Sequence, residues 1–267
     1  MQLVDLLPVV GVFGRAWGVD VVNARRLVTL DSAGGLGGYI GKLLATGPVC
    51  YWPMSESGGS VALDVAGGAN GTYTGVTLGQ TGIGDGLTCP YFDGVNDFLT
   101  LPHAAVTAAL ADVDLMSWAM WFRTVDTAVW HDGVGRVMVE GDLGGGTASG
   151  MNQRATTNPG SHSMYYRWDG PGQQPIQDGQ TVGDTTVWVH VAMTWDHDGD
   201  SFKTYYNGVE VGPVAAITNG NTAMSALVVG SGYTSPPANP WLGWLAHLAL
   251  WDGALSAEAI AALAVVP

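Results

Sequence analysis

Short alternating runs fill the chain from residue 48 onward. Leu115 to Arg123 puts Trp118, Met120 and Phe122 on one side and Ser117, Ala119, Trp121 and Arg123 on the other, the period of a strand. Trp188 to Trp195 repeats the pattern, with Val189, Val191, Met193 and Trp195 facing one way. Asn207-Gly208 stands between the β-rich runs Phe202–Tyr206 and Val209–Val211 and predicts a two-residue hairpin. Asn70-Gly71 predicts a turn feeding a strand, and Phe92 to Leu101 reads as strand, turn, strand around Asp93-Gly94. Leu242 to Trp251 is a further apolar strand. Ser256 is placed to cap a short helix with Glu258 in its first turn and Ile260 and Leu263 on its buried side. Residues 141–186 are rich in Gly, Thr, Asn, Gln and Pro and predict long loops around one or two strands, one of them Ser163–Trp168. No period of 20–50 residues is found. Many strands, short turns and one terminal helix predict an all-β sandwich.

Composition agrees and narrows the functions. The chain has 267 residues, 47% hydrophobic and 12% charged, with 40 Gly and 11 Trp. That length suits one large β domain or two small ones and leaves room for a sizeable core. Scarce Glu and Lys beside abundant Gly disfavour long amphipathic helices, and the many large aromatics disfavour disorder. The net charge is −14. A chain this acidic is a poor partner for a phosphate backbone, so nucleic acid is not expected. No apolar run reaches the roughly 18 residues of a membrane span.

The charge is uneven. Residues 1–47 carry Arg15, Arg25, Arg26 and Lys42 against Asp5, Asp20 and Asp31, so the remaining chain holds more than the whole negative excess. The stretch opens as MQLVDLLPVVGVFGRAW and ends near the glycine hinge GGLGG at 34–38. A signal peptide needs a basic start, whereas the first charge here is Asp5. Residues 1–47 are therefore read as an N-terminal docking arm, with Phe13, Arg15, Trp17, Arg25 and Arg26 as its assembly residues, and 48–267 as the sandwich domain. An extension packed on its own domain is the plainer alternative, and Val19–Leu30 fits neither the helix nor the strand period well.

Cysteine is sparse. Cys50 and Cys89 both fall on predicted strands, and they either pair, if the strands are neighbours, or stay as buried thiols. No CxxC, HExxH or Cys/His ligand cluster occurs.

The segments Tyr51-Trp52-Pro53-Met54-Ser55-Glu56 with Asp64, Asn70 and Gly71, then Phe92–Phe98, then Trp118 in its strand, then Trp188–Trp195 with Tyr206-Asn207-Gly208, then Leu245–Trp251 with Leu255–Glu258 resemble, in that order, laminin G-like domains of the concanavalin A-like lectin/glucanase group. The resemblance spans about 48–264. It implies a two-sheet antiparallel jelly-roll sandwich with a short C-terminal helix. Its relatives include glycan binders, adhesion modules, glycosidases and structural virion domains, so function must come from the residues.

A retaining glycosidase needs two carboxylates about 5–5.5 Å apart. Glucanases of this group place them in Glu-x-Asp-x-x-Glu, which is absent; Glu occurs only at 56, 140, 210 and 258. Asp196, Asp198 and Asp200 read as a solvated turn. None of the six His marks a nucleophilic triad. No catalytic residue is assigned. The resemblance also implies a structural calcium near Asp64 and Asn70, to which an acid on the last strand contributes. Ala246-His247 stands where relatives carry Asp-Glu, which removes a ligand and favours Asp64 and Asn70 as turn caps. No cofactor is required.

Glycan binding calls for exposed aromatic faces beside amides and charges. Trp130, Tyr165, Arg167, Trp168, Tyr233 and Trp241 are the candidates, with burial of many of them as the competing reading. Laminin G-like domains of this kind occur in head-surface and tail proteins of tailed phages. The expectation is a non-enzymatic virion surface or tail protein. It would be anchored by the arm to other virion proteins or to itself, and would display a sandwich whose ligand is a host glycan. The alternative is a free-standing or secreted carbohydrate-binding lectin.

Overall fold

A computed structural model of the chain describes residues 38–110, 115–130, 132, 134–142, 147–154, 161–168, 177–181, 186–196, 198–211, 224–232 and 238–266; the side chains of 130, 147–154, 161–168 and 177–181 fall outside that description. Among the described residues, two eight-stranded sheets face each other. The first runs β14 (Val209–Val211), β13 (Ser201–Tyr206), β12 (Val189–Asp196), β7 (Leu115–Thr124), β16 (Leu242–Trp251), β5 (Thr88–Asp93), β4 (Thr77–Thr81), with β1 (Cys50–Trp52) also paired to β16. The second runs β11 (Gln177–Thr181), β10 (Ser161–Trp168), β9 (Thr147–Arg154), β8 (Gly135–Asp142), β15 (Ala226–Val229), β6 (Phe98–Thr100), β3 (Gly71–Thr74), β2 (Val61–Ala62). All the pairings are antiparallel.

The period-2 pattern explains the core. Trp118, Met120 and Phe122 of β7 and Val189, Val191, Met193 and Trp195 of β12 meet Leu99, Met138, Val139, Leu227 and Val229 of the second sheet between the layers. The opposite face of β7 is covered too. Ala119 and Trp121 pack with Ala192, Ala246 and Trp251 beneath α1 (Gly38–Leu44) and α3 (Ala257–Leu263). α2 (His103–Ala109) follows β6 and buries Val106 in the core.

The hairpin forms as its residues require. Asn207 and Gly208 take φ of 47° and 80°, both positive, as a two-residue turn of the mirror-image type demands. Ser256 caps α3 by accepting from Ala259 N at 3.2 Å, and Ile260 and Leu263 are buried.

The strand, turn and strand around Asp93-Gly94 form as read, with β5 in the first sheet and β6 in the second, so the turn bridges the layers. Two expectations change. Residues 141–186 contain three strands beyond β8, because ladders are made of backbone groups that polar residues also carry. Residues 38–47, assigned to the arm from sequence, pack on the sandwich. Tyr39 Oη donates to Leu263 O at 2.8 Å, Lys42 Nζ donates to Val265 O at 2.6 Å, and Trp251 Nε1 donates to Thr46 Oγ1 at 2.9 Å. Residues 1–37, with Phe13, Arg15, Trp17, Arg25 and Arg26, lie outside the described residues.

Candidate functional site

The aromatic candidates divide. Tyr233 and the side chains of Trp130, Tyr165, Arg167 and Trp168 lie outside the description; the backbone puts Trp130 at the end of a 3-10 turn and the other three on β10. Trp241 is a correction. It is 0% exposed and meets Phe122 edge-on at 5.7 Å in the inter-sheet core, so no sugar reaches its face.

Asp64 and Asn70 come together as a turn. Asp64 Oδ1 accepts from the backbone N–H of Tyr51, Ala66 and Gly67 at 2.8–3.0 Å, and Oδ2 accepts from Ala69 N at 2.9 Å. Asn70 Oδ1 accepts from Asp64 N at 2.9 Å. Four donors aimed at one carboxylate supply the positive partner that a cation would otherwise supply. The last strand adds Ala246 and His247 rather than an acid, and among the described residues no three His, Cys, Asp or Glu cluster as ligands. These residues do not fit a calcium ion.

Cys50 and Cys89 are free. Both lie in the first sheet, but Cys50 faces the inter-sheet core and Cys89 the opposite, helix-covered side. Their sulfurs are separated by the thickness of the sheet. Burial pushes both thiols up to about 12, so neither is a nucleophile.

A polar cluster that local motifs do not reveal sits under α1. β16 bulges between Ala246 and Ala249, so Ala246 and His247 both turn to the helix-covered side, and His247 adopts φ of 57°. Its Nε2 lies 3.1 Å from Asp85 Oδ2, and its Nδ1 lies 2.7 Å from Tyr51 Oη. Tyr39 of α1 packs edge-on against the imidazole at 4.7 Å, and Trp121 Nε1 donates to Tyr39 Oη at 2.7 Å. A carboxylate, an imidazole and a phenol in line resemble an acid–base relay. Both members of the pair are 1% exposed, so no substrate reaches them. The arrangement fastens β16, β1, α1 and the loop before β5 to one another.

Beside this cluster a half-buried row crosses the same face of the sheet. Thr77 pairs with Tyr91, Tyr91 with Trp244 and Trp244 with Arg123; Phe122 pairs with Val189, which sets Trp188 beside Arg123. Tyr91, Trp244, Arg123 and Trp188 thus stand side by side across four strands, a row of about 14 Å at ~4.8 Å per strand. All four are half-buried. Tyr91 and Trp244 rings lie 5.1 Å apart, and Arg123 Cζ lies over Trp244 at 4.0 Å and over Trp188 at 5.3 Å. Trp188 Nε1 donates to Gly82 O at 3.1 Å, which fixes its ring. Gly243 makes the close approach that aligns the row: a Cβ there would fall 2.1 Å from Arg123 O on the next strand. The row combines flat apolar rings, a cation and a hydroxyl on one rim of the sheet, which suits a polar ring-shaped ligand. The signal for it was the out-of-phase position of Trp188 and Trp244 beside the core residues Val189 and Leu245.

Known proteins place the fold. Residues 93–261 match the Laminin_G_3 model, described as the concanavalin A-like lectin/glucanases superfamily. No curated protein matches the chain. Domain 4 of AbnA, an extracellular arabinanase from Geobacillus stearothermophilus in complex with arabinotriose, superposes with a TM-score of 0.56 at 19% identity, over 82% of this chain and 98% of that one. A Trypanosoma rangeli sialidase in complex with sialic acid gives a TM-score of 0.59 at 16% identity, over 82% of this chain and 33% of that one. The receptor binding domain of botulinum neurotoxin mosaic serotype C/D gives 0.59 at 13%, over 81% and 50%. The chain spans about a third of the sialidase and half of the toxin domain. At these identities the likeness is one of fold. The matched model covers more than half of the sequence, and the chain belongs to the Laminin_G_3 family of the concanavalin A-like lectin/glucanase superfamily.

Proposed function

We propose that this chain is a non-catalytic glycan-binding protein of a virion surface, docked among neighbouring subunits through its N-terminal segment and displaying the sandwich. The observation that carries the glycan reading is the half-buried row Tyr91–Trp244–Arg123–Trp188. Aromatic rings held in place by their neighbours lose little entropy when a sugar ring packs against them. The arabinotriose complex of the arabinanase domain supports the same reading by analogy of fold. The non-catalytic part rests on the missing Glu-x-Asp-x-x-Glu motif and on the burial of the Asp85–His247 pair. The docking part rests on the apolar, near-neutral segment ahead of an acidic body. Many displayed copies would turn a weak sugar contact into a useful one through avidity.

The test uses the full chain. Electrophoresis through gels cast with plant and bacterial polysaccharides should show retardation, while a reducing-end assay on the same polysaccharides shows no release. Released ends that disappear on substitution of a single carboxylate would overturn the non-catalytic reading. Native mass of the full chain against a chain lacking residues 1–37 tests docking. Assembly only in the full chain fits the virion reading, and two monomers of equal stability fit a free-standing lectin instead.

A further inference from the structure

We propose that Arg123 is a carboxylate receptor, so that the ligand of the row is an acidic sugar, of the uronic- or sialic-acid type. The inference rests on the glycan reading above and names the ligand class.

Four Lys or Arg side chains are described. Lys42 donates to Val265 O, Arg136 pairs with Asp132, and Lys203 lies 3.5 Å from Glu210. Among the described Lys and Arg side chains only that of Arg123 makes no hydrogen bond to an oxygen, in a chain with 23 acidic residues. Its partners are two indoles, and its Nε is buried without a hydrogen bond. A half-buried guanidinium left in that state carries a desolvation cost that an anion would offset.

The geometry selects the anion. Arg123 Cζ lies over the Trp244 ring at 4.0 Å and over the Trp188 ring at 5.3 Å, and its Nε is buried. The two terminal nitrogens of a guanidinium form a planar donor fork, which a planar carboxylate fits with two parallel hydrogen bonds. The flanking rings exclude water and strengthen that pair, and they remain in place to pack against the sugar ring that bears the carboxylate. A net charge of −14 repels polyanions, so one carboxylate on an otherwise neutral sugar suits the surface better than a sulfated chain.

The test is titration of the full chain, followed by tryptophan fluorescence. Glucuronic acid, N-acetylneuraminic acid and a galacturonate trisaccharide are each compared with a neutral counterpart, glucose, galactose or a galactose trisaccharide. The proposal expects the acidic member to bind about tenfold tighter or more, with the preference shrinking as salt rises. Arg123→Gln should erase the preference for the acidic member of each pair, and Arg123→Lys should restore only part of it because the fork is lost. The salt dependence in the unsubstituted chain keeps the test independent of how either variant folds. Equal binding of acidic and neutral sugars would overturn the carboxylate assignment and leave the glycan reading standing. Acetate or glutamate binding as tightly as glucuronate would overturn it as well. Binding of no sugar of either kind would overturn both.

Discussion

His247 Nε2 stands 3.1 Å from Asp85 Oδ2, with both side chains sealed from solvent. The pair joins the bulge of β16 to the loop before β5, and Tyr51 and Tyr39 close it from β1 and α1. Removing one member of such a pair strands the other in the interior, which costs about 3–5 kcal/mol. Asp85→Asn should lower the unfolding free energy from urea titration at pH 7 by that order. A change under about 1 kcal/mol would show that the pair is not holding these segments.

Acid should weaken the protein in two stages. His190 is buried against Trp121, at 5.1 Å between rings, with Nδ1 unpartnered. Burial, then the charges of His247 and Lys42, push it down from 6.5 to about 3. The unfolded chain therefore binds this proton first. Stability falls as pH drops from about 6.5 toward 3, by ~1.4 kcal/mol for each pH unit crossed. Burial raises Asp85, but the contacts with His247 and the N–H of Leu87 outweigh it, and the net displacement is downward from 3.8. Its contribution is present above 3.8 and is lost as pH falls through the lower folded value. Urea midpoints between pH 7.5 and 4 should decline, and His190→Phe should flatten that decline. A flat profile in the unsubstituted chain would contradict the burial of a neutral His190.

Much of the sandwich was legible because local pattern dictates it. The alternation in Leu115–Thr124 and Val189–Asp196, the turn at Asn207-Gly208 and the cap at Ser256 each depend on neighbours within a few residues. What depends on register was not legible. Tyr91, Trp188 and Trp244 become a row only through pairings of strands far apart in sequence. Trp241, between Pro240 and Leu242, looks like a loop aromatic, yet the chain turns inward there and buries it. His247 reads as an ordinary strand residue until the bulge turns it beside Ala246. α1 follows a glycine-rich stretch that reads as a hinge, and only its contacts with α3 and Trp121 show where it belongs.

Cysteine chemistry gives a separate check. With Cys50 and Cys89 on opposite faces of the sheet and both thiols near 12, a thiol reagent at pH 8 should label neither in the folded chain and both in urea. Mild oxidation should leave the folded monomer without an internal disulfide. A monomeric disulfide species on non-reducing gels would contradict the placement.

Two truncations separate arm from body. Loss of residues 1–37 keeps the contacts of Tyr39, Lys42 and Thr46 and serves as the reference. Loss of residues 1–47 also removes Tyr39 and Leu43 from the packed face and Thr46 from Trp251. Each buried side chain lost is worth about 2–5 kcal/mol, so the second truncation should melt many degrees lower or fail to fold. Equal melting of both would return residues 38–47 to the arm.

The central claim is that the row on the first sheet carries glycan binding, and calorimetric titration of the full chain measures it most directly. The glycan retained most strongly in the gels is the ligand, and Trp188→Ala, Trp244→Ala, Tyr165→Ala and Trp168→Ala are the variants. The row account predicts that Trp188→Ala and Trp244→Ala weaken binding about tenfold or more, the loss of one aromatic contact, at a temperature where both variants are folded. It also predicts that Tyr165→Ala and Trp168→Ala, at the positions the sequence alone nominates, leave affinity unchanged. Full affinity in both row variants, with binding lost in the β10 variants, would contradict it and move the site to the second sheet.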